Sequence, residues 1–468
     1  MQLKLRFLGA AQNVTGSRHL LEANNVRLLV DCGLYQERHL NSRNWQPFDV
    51  PADSLEAVFL THAHLDHCGL LPKLVQQGFK GPIYCTRATA DIARVVMLDA
   101  ARLQEEDAEF KRRRHEREGR AGPFPVVPLY RVEDVEACLP LFKPVEYGQT
   151  LDLGYNIRAV LCEAGHVLGS AVVKIMVTNT NKTRSVLFTG DLGRPHRPIV
   201  RDPALIHDAD YVLVESTYGD HVHHRREDIK KLIANTVNRV QKRGGNIVVP
   251  SFALERSQEL LYYINELLLE GAIPHLMVFL DSPMAAEITR IFQRHQDLFD
   301  SDMAQHMHNH ESPFSFPGLQ ITASADESKA INQIKGTVMI ISGSGMCTGG
   351  RVKHHLINNI TRKESTIMFV GYQAMGTLGR HIVDGSKKVR IHGDTYRIRA
   401  KIRPVHGFSA HADKTEILEW LQGFRRRPRQ VFVVHGETGT ALRFRDYLAA
   451  ETGWSVVAPT YQEEVILD

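Results

Sequence analysis

The stretch that decides the fold reads Thr61-His62-Ala63-His64-Leu65-Asp66-His67, and it follows the apolar run Ala57-Val58-Phe59-Leu60. It therefore places four potential metal ligands directly after a predicted strand. Because alternate positions of a tight loop project the same way, His62 and His64 can share one cation while Asp66 and His67 turn toward a second. Imidazole and carboxylate ligands in this mixture suit zinc. A solvated turn is the alternative in a chain with 24 His, but a strand-to-helix junction favours a two-metal hydrolase.

Other apolar runs also end in a residue that can bind a metal. They deliver Asp31, His166, Asp191 and His435. Strands that all terminate this way bring their side chains to one edge of a sheet, where open α/β folds build their sites. Singly, Asp191 could be a turn residue and His166 a core histidine. Jointly they predict one metal centre.

These motifs resemble those of the β-CASP nucleases of the metallo-β-lactamase fold. The resemblance rests on Asp31, the loop from His62 to His67, His166 and Asp191, and then on Glu215, His411 and His435. Shorter landmarks such as Val214-Glu215-Ser216-Thr217-Tyr218-Gly219 extend it through nearly the whole chain. It implies similarity to bacterial and archaeal RNA-processing exonucleases and endonucleases, which resemble the endonuclease subunit of the cleavage and polyadenylation specificity factor.

The resemblance implies an α/β fold, in which a metallo-β-lactamase αββα sandwich is interrupted by an inserted β-CASP domain of parallel α/β type. Beyond Tyr218 strand-like and helix-like runs alternate, as in a parallel sheet with right-handed crossovers. Because His411 and His435 follow that block, the C-terminal segment must complete the first domain. The predicted domains are residues 1–217 and 392–468 for the sandwich and 218–391 for the insertion.

The chemistry that the resemblance implies needs two zinc ions per chain. His62, His64 and His166 would hold one, and Asp66, His67 and His435 the other, with Asp191 bridging both. Such a pair lowers the pKa of a bridging water to about 7, so that it can attack a phosphodiester and leave a 5′-phosphate and a 3′-hydroxyl. Besides Asp66, the predicted catalytic residues are His411 as general acid and Glu215, which orients it. Asp31 is predicted to support the His loop without binding metal.

Two junctions in the inserted domain are predicted to bind substrate phosphates. The segment 342–350 is rich in Gly and Ser and lies between a strand and a helix, where backbone N–H groups can converge on an anion. A second junction near Ser251 adds an Arg in the first helical turn. The predicted contacts are Ser251, Arg256, Ser342, Ser344, Gly345 and His406, although His406 is equally compatible with neutral packing. Gly/Ser-rich turns are usually only turns.

Composition limits the partners of the chain. With 468 residues, a formal net charge of +4 and a pI of about 8.6, any grip on nucleic acid must be local. Basic clusters lie at 111–114, 387–403 and 425–429, and the first is better explained as a solvated helix face. Six Cys without a Cys-x-x-Cys pair predict a reducing cytoplasm. No apolar run reaches membrane-spanning length. The expected partner is single-stranded RNA, and a homodimer is compatible with the resemblance.

Three other functions compete with an RNA nuclease. Non-nuclease metallo-hydrolases of the same fold share the His loop, but they lack the Glu215, His411 and His435 set. A non-catalytic scaffold subunit would have lost metal ligands, whereas every expected ligand is present. A DNA-acting β-CASP nuclease is the third, and His435 resembles the RNA-acting branch more. The sequence does not decide between endonucleolytic and 5′-exonucleolytic cleavage.

Overall fold

A computed structural model describes residues 3–119, 126–179, 182–223, 226–405 and 407–467. Two compact units make up the chain. Unit 1 comprises Met1–His196, Asp202–Val222 and His411–Asp468, and unit 2 comprises Arg197–Arg201 and His223–Ala410. The chain therefore leaves unit 1 for unit 2 and returns to complete unit 1 with its last stretch.

The first part of unit 1 consists mainly of short strands. They are β1 (Leu3–Gly9), β2 (Arg18–Ala23), β3 (Val26–Val30), β4 (Ala57–Phe59), β5 (Ile83–Cys85), β6 (Phe142–Pro144), β7 (Thr150–Asp152), β8 (Ile157–Glu163), β9 (Ala171–Asn179), β10 (Lys182–Phe188) and β11 (Tyr211–Glu215). The helices are α1 (Leu65–Cys68), α2 (Leu71–Gln76), α3 (Arg87–Glu118) and α4 (Val132–Cys138).

Unit 2 alternates helices with strands. Its helices are α5 (Arg226–Arg243), α6 (Arg256–Leu269), α7 (Pro283–Arg294), α8 (Ser301–His308), α9 (Ala325–Ala330), α10 (Val352–Asn359) and α11 (Leu378–Val383). Its strands are β12 (Ile247–Pro250), β13 (Met277–Asp281), β14 (Leu319–Ile321), β15 (Val338–Ser342), β16 (Thr366–Phe369), β17 (Lys388–Ile391), β18 (Asp394–Arg397) and β19 (Lys401–Pro404). The C-terminal part of unit 1 adds α12 (Lys414–Gln422), β20 (Gln430–Val434), α13 (Thr438–Thr452), β21 (Val456–Val457) and β22 (Glu464–Leu467).

Unit 1 is a sandwich of two sheets. One has the strand order β22-β1-β2-β3-β4-β5-β6, and the other has the order β21-β20-β11-β10-β9-β8-β7. Alternate residues of both sheets share one buried core, as shown by Leu5 and Phe7 of β1 and by Leu161 and Val173 of β8 and β9. The C-terminal segment contributes an edge strand to each sheet, so the sandwich is incomplete without it.

Helices cover the outer faces of the sandwich. Leu421 of α12 and Phe444 of α13 pack against Val431 and Val433, which face outward from β20. On the other sheet, α3 contacts β6, α1 and α4. The predicted αββα architecture is therefore confirmed.

Unit 2 contains a sheet in the order β14-β13-β15-β12-β16-β19, in which every pairing is parallel. Its strands β12, β13 and β15 are almost wholly buried, which is typical of a parallel sheet covered on both faces. β17 and β18 form a separate antiparallel hairpin. The predicted parallel α/β insertion is confirmed.

The predicted boundary after Ile391 differs from the division seen in the structure. Residues 392–410 belong to unit 2, because β19 pairs in parallel with β16 and β18 pairs with β17. At the other boundary unit 1 continues from the predicted Thr217 to Val222. These strand pairings join segments that a local sequence pattern does not connect.

Among the helices of the described ranges, none combines the length with the apolarity that spanning a membrane requires.

Candidate metal centre

The predicted ligands come together in unit 1 because the strands of both sheets end at one place. His62 and His64 follow β4 of the first sheet, whereas His166, Asp191 and His435 follow β8, β10 and β20 of the second. All five side chains lie close enough to belong to contiguous clusters of ligand atoms. The turn after each strand, rather than the strand itself, therefore carries the chemistry.

The first cluster consists of His62, His64, His166 and Asp191. His64 Nδ1 lies 3.0 Å from His62 Nε2 and 3.3 Å from His166 Nε2. Asp191 Oδ2 lies 3.3 Å from His62 Nε2 and 3.4 Å from His166 Nε2. Four ligand atoms thus face a common point.

The second cluster consists of Asp66, His67 and His435 and also touches Asp191. His67 Nε2 lies 3.1 Å from His435 Nε2, and both nitrogens lie close to Asp191 Oδ1, at 3.3 and 3.5 Å. Asp66 Oδ2 lies 3.6 Å from His435 Nε2. Asp191 therefore directs one carboxylate oxygen to each cluster.

The spacing of these atoms fits divalent cations. A tetrahedron with metal–nitrogen bonds of about 2.0–2.1 Å has edges of about 3.3–3.4 Å. The separations of the ligand pairs, from 3.0 Å to 3.6 Å, lie around this value. Asp191 Oδ1 is buried and has no hydrogen-bond partner among the described residues, as expected of an atom that binds a cation instead. The residues present therefore fit two metal ions.

Asp31 holds His67 in position from behind. Its Oδ2 accepts a hydrogen bond from His67 Nδ1 at 2.6 Å, which directs the Nε2 atom of that ring into the cluster. The carboxylate is itself fixed by the Thr61 backbone N–H at 2.9 Å and by the Ser17 hydroxyl at 3.1 Å. Asp31 has a φ of 61°, a strained value of the kind that clusters at functional sites.

His435 is oriented by a residue that the sequence analysis missed. Thr217 Oγ1 lies 3.1 Å from His435 Nδ1, and this contact turns Nε2 toward the second cluster. The roles of Thr61 and Ser17 are not predicted from the sequence either. A hydroxyl residue beside a strand end is common, so Thr61 is marked only by its position directly before His62, and Thr217 only by its closeness to Glu215. Ser17 directly precedes β2 and has no such mark.

His411 and Glu215 form a pair beside the first cluster. The His411 ring lies 4.5 Å from the His166 ring, and His411 Nδ1 lies 3.0 and 3.1 Å from the two carboxylate oxygens of Glu215. Glu215 is fully buried and also accepts a hydrogen bond from the Leu192 backbone N–H at 2.7 Å. The His411 side chain is 20% exposed, so it can reach a substrate.

The buried carboxylates of the site favour positive charge on the groups around them. Burial lowers the pKa of His411, but Glu215 and Asp191 more than offset it and raise that pKa to about 9. Burial also lowers the pKa of His67, but the carboxylates of Asp191 and Asp31 outweigh burial, so that the pKa is raised. Burial raises the pKa of Asp191 less than the surrounding histidines lower it, so this carboxyl is ionised. The carboxylates thus attract positive charge, which protons supply in the metal-free protein and which metal ions can supply in their place.

The predicted phosphate contacts lie in unit 2, and the structure changes the interpretation of several. Ser251 and Ser342 are buried, and their hydroxyls donate to the carbonyl oxygens of Phe252 and Asp281. Both hydroxyls therefore have an acceptor within the protein, and their contact with phosphate stays a prediction. Ser344 lies at the surface of its loop, with its hydroxyl 3.1 Å from that of Thr348.

Arg256 is also engaged within unit 2. Its Nη1 lies 3.0 Å from Glu259 Oε2, and its guanidinium packs over the Phe408 ring at 5.5 Å. Gly345 is buried against the Phe252 ring, since a Cβ there would come within 2.7 Å of that ring. Both residues therefore have contacts within unit 2, and phosphate binding by either stays a prediction. His406 lies outside the described residues.

Comparisons with known protein families and proteins agree with this geometry. Three family models match successive stretches: a metallo-beta-lactamase superfamily domain at residues 20–192, a Beta-Casp domain at 257–382 and a Zn-dependent metallo-hydrolase RNA specificity domain at 395–459. The chain is 37% identical over 442 residues to Ribonuclease TTHA0252 of Thermus thermophilus, which covers 94% of this chain and 95% of that protein.

More distant relatives include archaeal proteins named transcription termination factor FttA. The chain is 31% identical over 457 residues to that of Methanocaldococcus jannaschii, which covers 95% of this chain and 68% of that protein. It is 29% identical to that of Thermococcus kodakarensis, with 99% and 71% covered. A solved protein of unknown function from Enterococcus faecalis V583 matches with a TM-score of 0.56 at 11% identity over 100% of both chains, which supports the fold alone.

Proposed function

Because the chain belongs to the β-CASP family of metallo-β-lactamase-fold hydrolases, we propose that it is a zinc-dependent ribonuclease that hydrolyses the phosphodiester bonds of single-stranded RNA. The observation that carries the proposal is the pair of ligand clusters joined through Asp191, with the His411 and Glu215 pair beside them. The names of its relatives, a ribonuclease and transcription termination factors, support RNA as the substrate.

Two zinc ions would occupy the two clusters. His62, His64 and His166 would hold one, and Asp66, His67 and His435 the other, with Asp191 bound to both. When bound, the ions supply an activated water and stabilise negative charge on a phosphoryl oxygen. All these ligands are nitrogen or oxygen donors, which suits zinc.

His411 would transfer the proton that the leaving group needs. As an imidazolium, it would donate a proton to the 3′-oxygen of the leaving ribose, which yields a 3′-hydroxyl and a 5′-phosphate. Glu215 would hold the ring in place and stabilise its charge through the contact at Nδ1. Because Glu215 accepts from a backbone N–H and is fully buried, the ring has one fixed orientation.

Ser344 and Gly345 would line the phosphate path in unit 2. The loop from 343 to 350 contains no carboxylate, so a phosphate can approach it without repulsion from the loop itself. Ser251, Ser342 and Arg256 would shape this region through their internal contacts.

The test is digestion of one RNA in three forms, with a 5′-triphosphate, with a 5′-monophosphate and as a closed circle, alongside DNA of the same sequence. We expect zinc-dependent cleavage of RNA that leaves 5′-phosphate and 3′-hydroxyl ends. Cutting of the circle identifies an endonuclease, and a requirement for the 5′-monophosphate identifies a 5′-exonuclease. Cleavage of DNA but not RNA would replace the proposal with a DNA-acting nuclease. Failure on both, with hydrolysis of a thioester or β-lactam, would identify a non-nuclease hydrolase.

The cysteines support a cytoplasmic location for the proposed ribonuclease. All six cysteines are free, and five are buried, as expected in a reducing cytoplasm. A homodimer stays a prediction.

A further inference from the structure

The β17–β18 hairpin and the edge strand β19 of unit 2 carry an unusual concentration of positive charge. The segment 387–403 contains seven Lys or Arg and one acidic residue, Asp394. All seven cations are exposed, and they are Lys387, Lys388, Arg390, Arg397, Arg399, Lys401 and Arg403. Among the described residues no carboxylate forms an ion pair with any of them.

The hairpin fixes part of this charge on one face. Val389 and Ile391 of β17 are buried in the core of unit 2, so Lys388 and Arg390 project from the opposite face. Lys388 pairs directly with Arg397 across the hairpin. Like charges in such a pair repel and destabilise the hairpin, so the arrangement has no structural benefit.

A purely structural explanation accounts for part of the segment. Cations on an edge strand discourage pairing with a second molecule, and β19 is an edge strand with Lys401 and Arg403 exposed. Both strands of the hairpin are edge strands as well, because they form a two-stranded sheet. Protection of an edge does not, however, require Lys388 to lie directly opposite Arg397. A basic cluster on α3 provides the contrast, because Lys111, Arg113 and Arg114 each form an ion pair with an acid one turn away.

We propose that the exposed face of the β17–β18 hairpin, continued by β19, binds the sugar-phosphate backbone of the RNA substrate through residues of unit 2, whereas the predicted metal ligands belong to unit 1. The proposal rests on the ribonuclease function proposed above for its choice of polyanion. Unpaired cations spread over consecutive strands suit a strand that offers a phosphate at every nucleotide, and they suit backbone contact without base selection.

The experiment compares two variants that each remove three positive charges. The test variant is Lys388→Gln/Arg390→Gln/Arg397→Gln, and the control is Lys111→Gln/Arg113→Gln/Arg114→Gln on α3. The equilibrium dissociation constant of a single-stranded RNA oligomer is measured by fluorescence anisotropy from 50 to about 300 mM salt, a range in which counterion release governs such contacts. Both variants are also assayed on bis-nitrophenyl phosphate and for metal content, which neither should change.

We expect the hairpin variant to bind RNA about 10- to 100-fold more weakly at 0.1 M salt, with a slope of log K against log salt that is smaller by about 2. The α3 control should bind like the wild type, because its cations are already neutralised by neighbouring acids. If both variants bind RNA as tightly as the wild type does, the proposal is overturned, and the hairpin would be left for another partner, such as an acidic protein surface. An equal loss in both would show only a dependence on net charge, and it would overturn the proposal too.

A single substitution keeps the test decisive if the triple variant folds poorly. Arg397→Gln removes the repulsion with Lys388, so it should not lower the unfolding temperature, yet it should weaken RNA binding and reduce the salt slope by about 0.7. Unchanged affinity in this variant would contradict the proposal. If the wild-type protein binds RNA but does not cut it, the proposed ribonuclease function is refuted, whereas the proposal that the hairpin binds RNA is not affected.

Discussion

At the scale of single residues, the proposed function assigns proton transfer to His411, positioned by Glu215, and metal binding to the clustered ligands. Both touch the ligand clusters, yet the carboxylate of Glu215 is taken up by His411 and by the Leu192 N–H. A third grouping of Asp191, Glu215 and His435 also has ligand atoms close together. The hydrogen bonds of Glu215 favour its role as the partner of His411 over that of a ligand.

Replacing His411 tests this division. His411→Ala should keep its zinc and lose about 10²–10⁴-fold in turnover, the usual scale for general acid catalysis. The measurements are metal content by mass spectrometry and the rate of RNA cleavage at saturating substrate. As a control, Asp191→Ala should lose metal together with activity. A His411→Ala protein that has lost metal would show that His411 is a ligand.

Asp281 organises unit 2 at the scale of its elements. It lies fully buried at the end of β13, where it accepts hydrogen bonds from Arg351 Nη1 at 2.7 Å and from His355 Nε2 at 2.5 Å. The hydroxyls of Thr322 and Ser328 also donate to it. One carboxylate thus ties α9 and α10 to the end of β13.

This network predicts a pH-dependent contribution to stability. Burial raises the pKa of Asp281, but its hydrogen bonds, led by that from His355, outweigh burial and hold the pKa below the usual 3.8. The contribution is therefore present above about pH 4 and is lost as the pH falls through the lower, folded-state pKa. Asp281→Asn should destabilise the protein by about 3–5 kcal/mol at pH 7, the scale of a broken buried pair.

The measurement is the difference in unfolding free energy between wild type and Asp281→Asn from pH 7 to pH 3. The difference should narrow below about pH 4, because the Asp281 carboxyl then takes up a proton in the unfolded wild-type chain but not yet in the folded protein, and this favours unfolding. Asp326→Asn is the matched control, since Asp326 is exposed in a surface pair with Lys329 and its loss should change stability little. A constant difference over the whole pH range would show that the charge of Asp281 does not stabilise unit 2.

Local patterns in the sequence predict part of the fold and of the candidate site. The spacing of His62, His64, Asp66 and His67 was sufficient to predict a metal loop, because ligands must follow a strand closely to share a cation. Arg256 is a predicted phosphate contact, and in the structure it pairs with Glu259, three residues along the same helix, so its binding of phosphate stays a prediction. That i,i+3 relation is visible in the sequence, and it competes directly with an external anion.

Contacts between distant segments account for the remaining differences. Thr217 meets His435 across 218 residues, and a neutral hydroxyl carries no periodic signal that predicts such a contact. Likewise β19 returns to β16 within the parallel sheet, which moves the end of unit 2 to Ala410. Both depend on tertiary pairing, which hydrophobic periodicity does not encode.

At the scale of the whole molecule, the metal centre depends on a discontinuous unit. Its ligands come from both sides of the insertion, since His166 and Asp191 precede unit 2 and His435 follows it. The centre therefore forms only when the C-terminal segment completes the second sheet through β20. We therefore expect metal binding and the folding of unit 1 to be linked.

Zinc stoichiometry tests the central claim most directly. Freshly purified protein should contain two zinc ions per chain by native mass spectrometry, should lose RNA cleavage when a chelator removes them, and should regain it when zinc is restored. Protein that holds close to no metal and cuts RNA equally well in the presence of the chelator would contradict the two-metal centre.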